Sequence, residues 1–130
     1  MKRYVAEPES TVIRRLFEGD FCAVSRLSEA EVASSLARRC REGAFPEFER
    51  DRALNALRED FGSLLIVEVT SEVVARSVGL LVRHRLRAAD ALQLSACLEL
   101  RDRIRLPARF IAYDARLLEV AALEGLETKL

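Results

Sequence analysis

Three short apolar runs, spaced by stretches of helical periodicity, constrain the fold of this chain more than any other feature. They are Phe21-Cys22-Ala23-Val24, Leu64-Leu65-Ile66-Val67-Glu68-Val69 and Phe110-Ile111-Ala112-Tyr113. Each is short enough for a buried strand, and the second, β-branched and brief, carries the strongest signal. Pro8 near the start and Gly19 past the end bracket a first helix. A second is expected from Ser25 or Ser28 to Glu42, stopped by Gly43, with Ala33, Leu36, Ala37 and Cys40 as its apolar stripe. Pro46 opens a third that reaches Asp60 and ends at Gly62. Thr70 caps a fourth running to Arg83, and a fifth spans 88–101. Asp114 caps a sixth that ends at Glu124, and Gly125 leads into a short terminal strand. Helices alternating with near-continuous apolar strands predict an α/β fold whose parallel sheet is covered on both faces. Such sheets bind ligands beyond the carboxyl ends of their strands, so the residues just after each strand are expected to carry the chemistry.

The 130 residues suffice for one domain with its own core, and no repeat, low-complexity tract or linker divides them. No apolar run approaches the roughly 20 residues of a membrane span. The N-terminal Met-Lys-Arg-Tyr-Val-Ala-Glu-Pro has basic residues but no apolar core, so it does not read as a signal peptide, and the cytoplasm is the expected location. Cys22, Cys40 and Cys97 are odd in number and lack C-x-x-C pairing, which argues against a disulfide framework or a cysteine zinc site. His84 is the only histidine, leaving little for a histidine-based triad or metal site. Enzymatic chemistry would fall to carboxylates, whose oxygens favour hard cations, magnesium or manganese, over zinc. The net charge is zero, so no global field draws the chain to nucleic acid. Yet Lys2 and Lys129 are the only lysines, while arginines crowd at Arg83, Arg85 and Arg87 and again at Arg101, Arg103, Arg105 and Arg109. Their planar forks of donors suit phosphate; the plainer account is a GC-rich genome and solvated helix faces.

Three acids stand out. Asp114 directly follows the run 110–113 and opens a helix, where a parallel sheet places its ligands and where Asp also commonly serves as an N-cap. Asp90 lies in the first turn of Ala88-Ala89-Asp90-Ala91-Leu92-Gln93-Leu94-Ser95-Ala96-Cys97-Leu98, which is apolar almost all round, as a buried helix is. It gains from the helix dipole and needs a partner if buried; otherwise it faces solvent or Arg87. Glu31 lies opposite the stripe of its helix, beside Leu27 and Arg38, and Ser28-x-x-Glu31 matches a capping box. Were the three to converge, each pair about 4 Å apart would repel by on the order of 4 kcal/mol at an effective dielectric near 20. A divalent cation relieves that repulsion, is coordinated by the same oxygens, and can activate water to hydrolyse a phosphodiester.

Four segments carry a family resemblance. Lys2-Arg3-Tyr4-Val5-Ala6-Glu7-Pro8-Glu9-Ser10 is similar to the stretch that follows the first strand in PIN-domain toxins of the VapC type. Ser25-Arg26-Leu27-Ser28-Glu29-Ala30-Glu31-Val32 resembles the family's serine/threonine–leucine–glutamate helix, and His84-Arg85-Leu86-Arg87-Ala88-Ala89-Asp90-Ala91-Leu92-Gln93-Leu94 its leucine–arginine–alanine and Asp-Ala-Leu stretch. Phe110-Ile111-Ala112-Tyr113-Asp114-Ala115-Arg116-Leu117-Leu118 resembles the strand that delivers the last acid. The four occur in order along essentially the whole chain. The resemblance implies a three-layer α/β/α PIN-like fold with a parallel sheet, and Glu31, Asp90 and Asp114 as catalytic acids and ligands of magnesium, with manganese as the alternative. It further implies RNA as substrate, a homodimer, and a small antitoxin protein that blocks the site.

Two departures accompany it. The residue two before Asp114 is often threonine in that family and is Ala112 here, which weakens a supporting hydrogen bond. Family members also open with an apolar strand, central in the sheet, that ends in a metal-binding aspartate. This chain begins at the link after it, with Met1 where valine is usual, and Glu7 and Glu9 lie too far along to replace that acid. The expectation is an N-terminally truncated single domain over 1–130, its start assigned too late from a GTG codon. An in-frame stop just upstream, or no encoded apolar strand ending in Asp there, would refute this. The expected function is magnesium-dependent RNA cleavage. The alternative is a catalytically inactive scaffold that binds an antitoxin or RNA. A phospho-acceptor receiver domain, also α/β with clustered acids, expects a late lysine after a strand, and Lys129 sits at the terminus itself.

Overall fold

The computed structural model describes residues 23–105, 109, 110, 112 and 114–128. Its elements are β1 (Ala23–Ser25), α1 (Leu27–Arg41), α2 (Glu47–Ser63), β2 (Leu65–Val67), α3 (Ser71–Arg83), α4 (Ala88–Ile104) and α5 (Ala115–Leu123). The expected helix at 8–19 lies outside the described residues, as do Phe21 and Cys22 of the first expected strand and Ile111 and Tyr113 of the third. β1 pairs with β2 in a two-stranded parallel sheet, so the chain has the mostly helical α/β character that its apolar spacing predicts. It divides into two compact units, Met1–Ile66 and Val67–Leu130.

In the first unit α1 packs on α2, with Leu36 completely buried and Leu57 and Phe61 nearly so. The start of α1 corrects the sequence. Arg26 stands at the N-cap without a side-chain cap bond, and the hydroxyl of buried Ser25 accepts the Leu27 N–H at 3.2 Å. Ser28 is therefore inside the first turn and heads no capping box. The acid at the positive end of the helix dipole is Glu29, whose Oε1 receives Arg26 Nη1 at 2.9 Å. The far end follows expectation. Arg38, Arg39 and Arg41 complement the negative dipole end, and Gly43 turns the chain out at φ 86°, a conformation that favours glycine. Helix α2 runs through Gly62 instead of stopping at it, and the Ser63 hydroxyl donates to the Asp60 carbonyl at 3.0 Å, holding the last turn. β2 is shorter than the apolar run 64–69. The Thr70 N–H folds back on the Glu68 carbonyl at 3.0 Å, bending the chain toward the next cap.

In the second unit Thr70 Oγ1 accepts the Val73 N–H at 3.2 Å and starts α3, as predicted. α3 packs against α4 through Val73, Ser77 and Leu80, all buried. The fully buried Ser95 hydroxyl ties the two helices by donating to the Val73 carbonyl at 2.6 Å. The core gathers Leu80, Ala91, Leu94, Leu98, Phe110, Leu117, Val120, Ala121 and Leu126. Each large member contributes about 1.5–3 kcal/mol of burial. α4 reaches Ile104, a turn beyond its apolar pattern, because its polar end finds tertiary partners: Arg76 bonds Glu99 at 3.0 Å and Asp102 at 2.8 Å. Where the sequence predicts strands at 110–113 and after Gly125, the described residues show one parallel bridge, Arg109 with Glu127. The Phe110 N–H donates to the Glu127 carbonyl there at 2.8 Å.

Candidate active site

The three expected acids fall on three helices. Glu31 is on α1 in the first unit and is exposed. With Arg26 as cap of that helix, the capping-box explanation for Glu31 no longer applies. Asp90 and Asp114 belong to the second unit, each at the N-terminus of a helix, where unpaired N–H groups and the dipole favour negative charge.

Asp90 is in the first turn of α4, half-buried, with 21% of its side chain exposed. Its partner is Arg87, whose Nε reaches Asp90 Oδ2 at 3.4 Å from a side chain that is 84% exposed. A long ion pair to so solvated a guanidinium is worth well under about 1 kcal/mol, so it scarcely commits the carboxylate. This is the Arg87 alternative that the sequence left open, in a weak form.

Asp114 is the N-cap of α5. One oxygen does the capping: Oδ1 accepts the N–H of Arg116 at 2.9 Å and of Leu117 at 3.3 Å. Oδ2 has no hydrogen-bond partner among the described residues. Capping and cation binding are thus compatible in this residue, one oxygen for each.

Among the described residues no group of three or more His, Cys, Asp or Glu side chains gathers in an arrangement that could hold a metal ion. The donor types nevertheless suit a hard divalent cation, being carboxylates alone, with free oxygen capacity at Asp114 and a weakly held oxygen at Asp90.

The PIN-domain family matches this chain over residues 4–123. The chain belongs to the PIN-domain family. PIN domains are generally nucleases and usually use divalent metal ions, which makes this chain nuclease-type at the level of its family. No curated protein matches it as a relative. No helix among the described residues is long and apolar enough to cross a membrane.

Two acidic groups went unnoticed in the sequence. Glu124, read only as a helix end, accepts from His84 Nε2 at 2.7 Å and from Arg83 at 3.1 and 3.3 Å, while Arg101 donates to its carbonyl at 3.3 Å. The His84 bond, reinforced by Arg83, holds its carboxyl below the ordinary glutamate range against a smaller desolvation effect. The cluster locks the ends of α3 and α5 together, so the lone histidine has a structural role here. Asp60 is 8% exposed on α2 beside Leu57 and Phe61. Its spacing three residues after Leu57 was the available signal for a carboxylate on a buried face.

Proposed function

We propose that this PIN domain is an endoribonuclease that hydrolyses RNA phosphodiesters with magnesium, or manganese as the alternative, held by Glu31, Asp90 and Asp114. In the same reading it is the toxin of a VapC-type toxin–antitoxin pair, acts in the cytoplasm and is blocked by a small antitoxin protein. The observation that carries the reading is the family match over residues 4–123, which spans all three acids. The cation, when bound, supplies positive charge to the transition state and acidifies the attacking water.

The chain's own groups have separate tasks. Asp114 offers Oδ2 while Oδ1 keeps α5 capped, so holding a ligand need not unravel the helix. Asp90 brings a carboxylate whose tie to Arg87 is weak enough to exchange. Arg85 and Arg105 are exposed and meet no acidic partner among the described residues, which leaves their forks for the phosphate backbone.

Cleavage of a mixed-sequence RNA by the full chain tests this. Activity should require magnesium, stop on chelation, and fall at least about a hundredfold in Asp90→Asn at unchanged folding. Absence of cleavage at millimolar magnesium, or an Asp90→Asn variant as active as the parent, rejects the catalytic reading and leaves the inactive scaffold.

A further inference from the structure

One face of α1 starts at Glu31 and continues as a row of donors. Arg38 follows Glu31 by seven residues, close to two turns, so it stands on the same face about 10 Å further along the axis. Both residues are exposed. Arg41, exposed as well and nearly a turn beyond, extends the row to about 15 Å from Glu31. Between Glu31 and Arg38 this face holds only Ser34 and Ser35, small and uncharged, each with a hydroxyl that can donate. Buried Leu36 lies on the opposite side, where α1 packs on α2.

The two arginines are uncommitted. Among the described residues neither meets an acidic partner, and Glu42, four residues after Arg38, forms no ion pair with it. At the other end of α1 Arg26 is bound to Glu29 at 2.9 Å, so the row of available guanidinium forks runs one way, from Glu31 toward the C-terminus. The helix dipole accounts for positive charge in the last turn, and Arg39 already supplies it from a guanidinium lying 5.9 Å over the Phe45 ring. The dipole accounts neither for the alignment of Arg38 with Glu31 nor for the clear serine surface between them.

The spacing selects the ligand. A stacked nucleotide strand advances about 3.4 Å per residue, so a backbone that crosses a cation at Glu31 reaches Arg38 about three nucleotides on and Arg41 about four. A guanidinium takes a phosphate through charge-assisted, often bidentate bonds, which position the strand without reading its bases. A single row of donors on one helix follows one backbone, not two.

We infer that Ser34, Ser35, Arg38 and Arg41 form a track on α1 that holds the sugar–phosphate backbone of single-stranded RNA on one side of the cut. The inference rests on the nuclease reading for Glu31 and lies wholly within the first unit. The track makes affinity depend on the length of the RNA and not on its sequence.

The double variant Arg38→Ala/Arg41→Ala of the full chain tests it through two readouts. Binding of a labelled single-stranded RNA of twelve nucleotides, followed by fluorescence anisotropy in EDTA, should weaken at least about tenfold. Loss of two phosphate contacts should also flatten the log–log dependence of that binding on salt by about 1.4, at about 0.7 per contact for a single strand. Lysine at both positions keeps the charges and should restore binding to within about threefold of the parent. With magnesium, kcat/KM should fall at least about tenfold on the twelve-mer, chiefly through KM. It should stay within about twofold on a dinucleotide, which ends short of Arg38. Unchanged twelve-mer binding and salt dependence in the double variant overturn the inference, whether or not the parent cleaves. An equal loss on twelve-mer and dinucleotide overturns it too, because the arginines then serve the fold or the cation site. A parent that cleaves neither RNA rejects the nuclease reading, and the anisotropy result still decides whether the track holds RNA.

Discussion

Replacing Asp114 separates the two tasks its carboxylate can hold. As N-cap it satisfies two N–H groups of α5 through Oδ1, at 2.9 and 3.3 Å. Truncation to alanine removes both bonds, and at an exposed helix start this costs about 1 kcal/mol, within a usual range of about 0.5–2. Asparagine caps about as well as aspartate. Asp114→Asn therefore loses only the charge at the positive dipole end, roughly 0.3–1 kcal/mol and at the low end for an exposed site in salt. Cation binding has the opposite sensitivity. Removing one unit charge about 4 Å from a divalent cation forfeits on the order of 8 kcal/mol at an effective dielectric near 20, twice the figure for two unit charges, so a loss of at least about a thousandfold in rate is expected. Both variants should then lose cleavage, while only Asp114→Ala loses appreciable stability. Urea titrations and magnesium-dependent cleavage rates, measured on the same preparations, give the comparison. An Asp114→Asn variant that cleaves within about threefold of the parent refutes the ligand role and leaves only the cap. Equal loss of stability in both variants refutes the hydrogen-bonded cap, since charge alone would then be holding the helix.

Two further outcomes follow from perturbed ionisation. Glu124 has a folded-state carboxyl below its ordinary 4.5, chiefly through the His84 bond, so its contribution is present above that value and is lost as pH falls through the lower, folded one. Glu124→Gln should cost roughly 1 kcal/mol at pH 7, discounted for the half-exposed Arg83, and nearly nothing at pH 2; a gap between parent and variant that urea titration finds equal at both pH values contradicts this. Burial pushes the Cys97 thiol from 9.0 up to about 11. At pH 8 the thiolate is then about a hundredfold scarcer, and iodoacetamide should label Cys97 at least that much more slowly in the native chain than in urea, as followed by peptide mass spectrometry; equal rates in the two states would show the thiol to be accessible and unperturbed.

Sequence alone determined what depends on neighbours along the chain. Thr70 and Asp114 cap their helices with their own side chains, and Gly43 leaves α1 through positive φ, because each operates within three or four residues. The apolar runs and helical stripes carried the α/β class for the same reason: periodicity is a local property that only one packing class accommodates. Local rules failed where partners were distant. The capping box at Ser28 and Glu31 was plausible from spacing, but Ser25 and the Arg26–Glu29 pair took over that helix start. Helix α4 outran its apolar pattern because Arg76, on another helix, bonds Glu99 and Asp102. His84 looked idle until the ends of α3 and α5 met at Glu124. For the acids, the sequence could name Glu31, Asp90 and Asp114 but not weigh their competing roles. Tertiary structure showed that, among the described residues, Asp90 is held by a long bond to Arg87 and that Asp114 caps through one oxygen, since what a carboxylate has left to offer depends on which atoms surround it and not on its place in the chain.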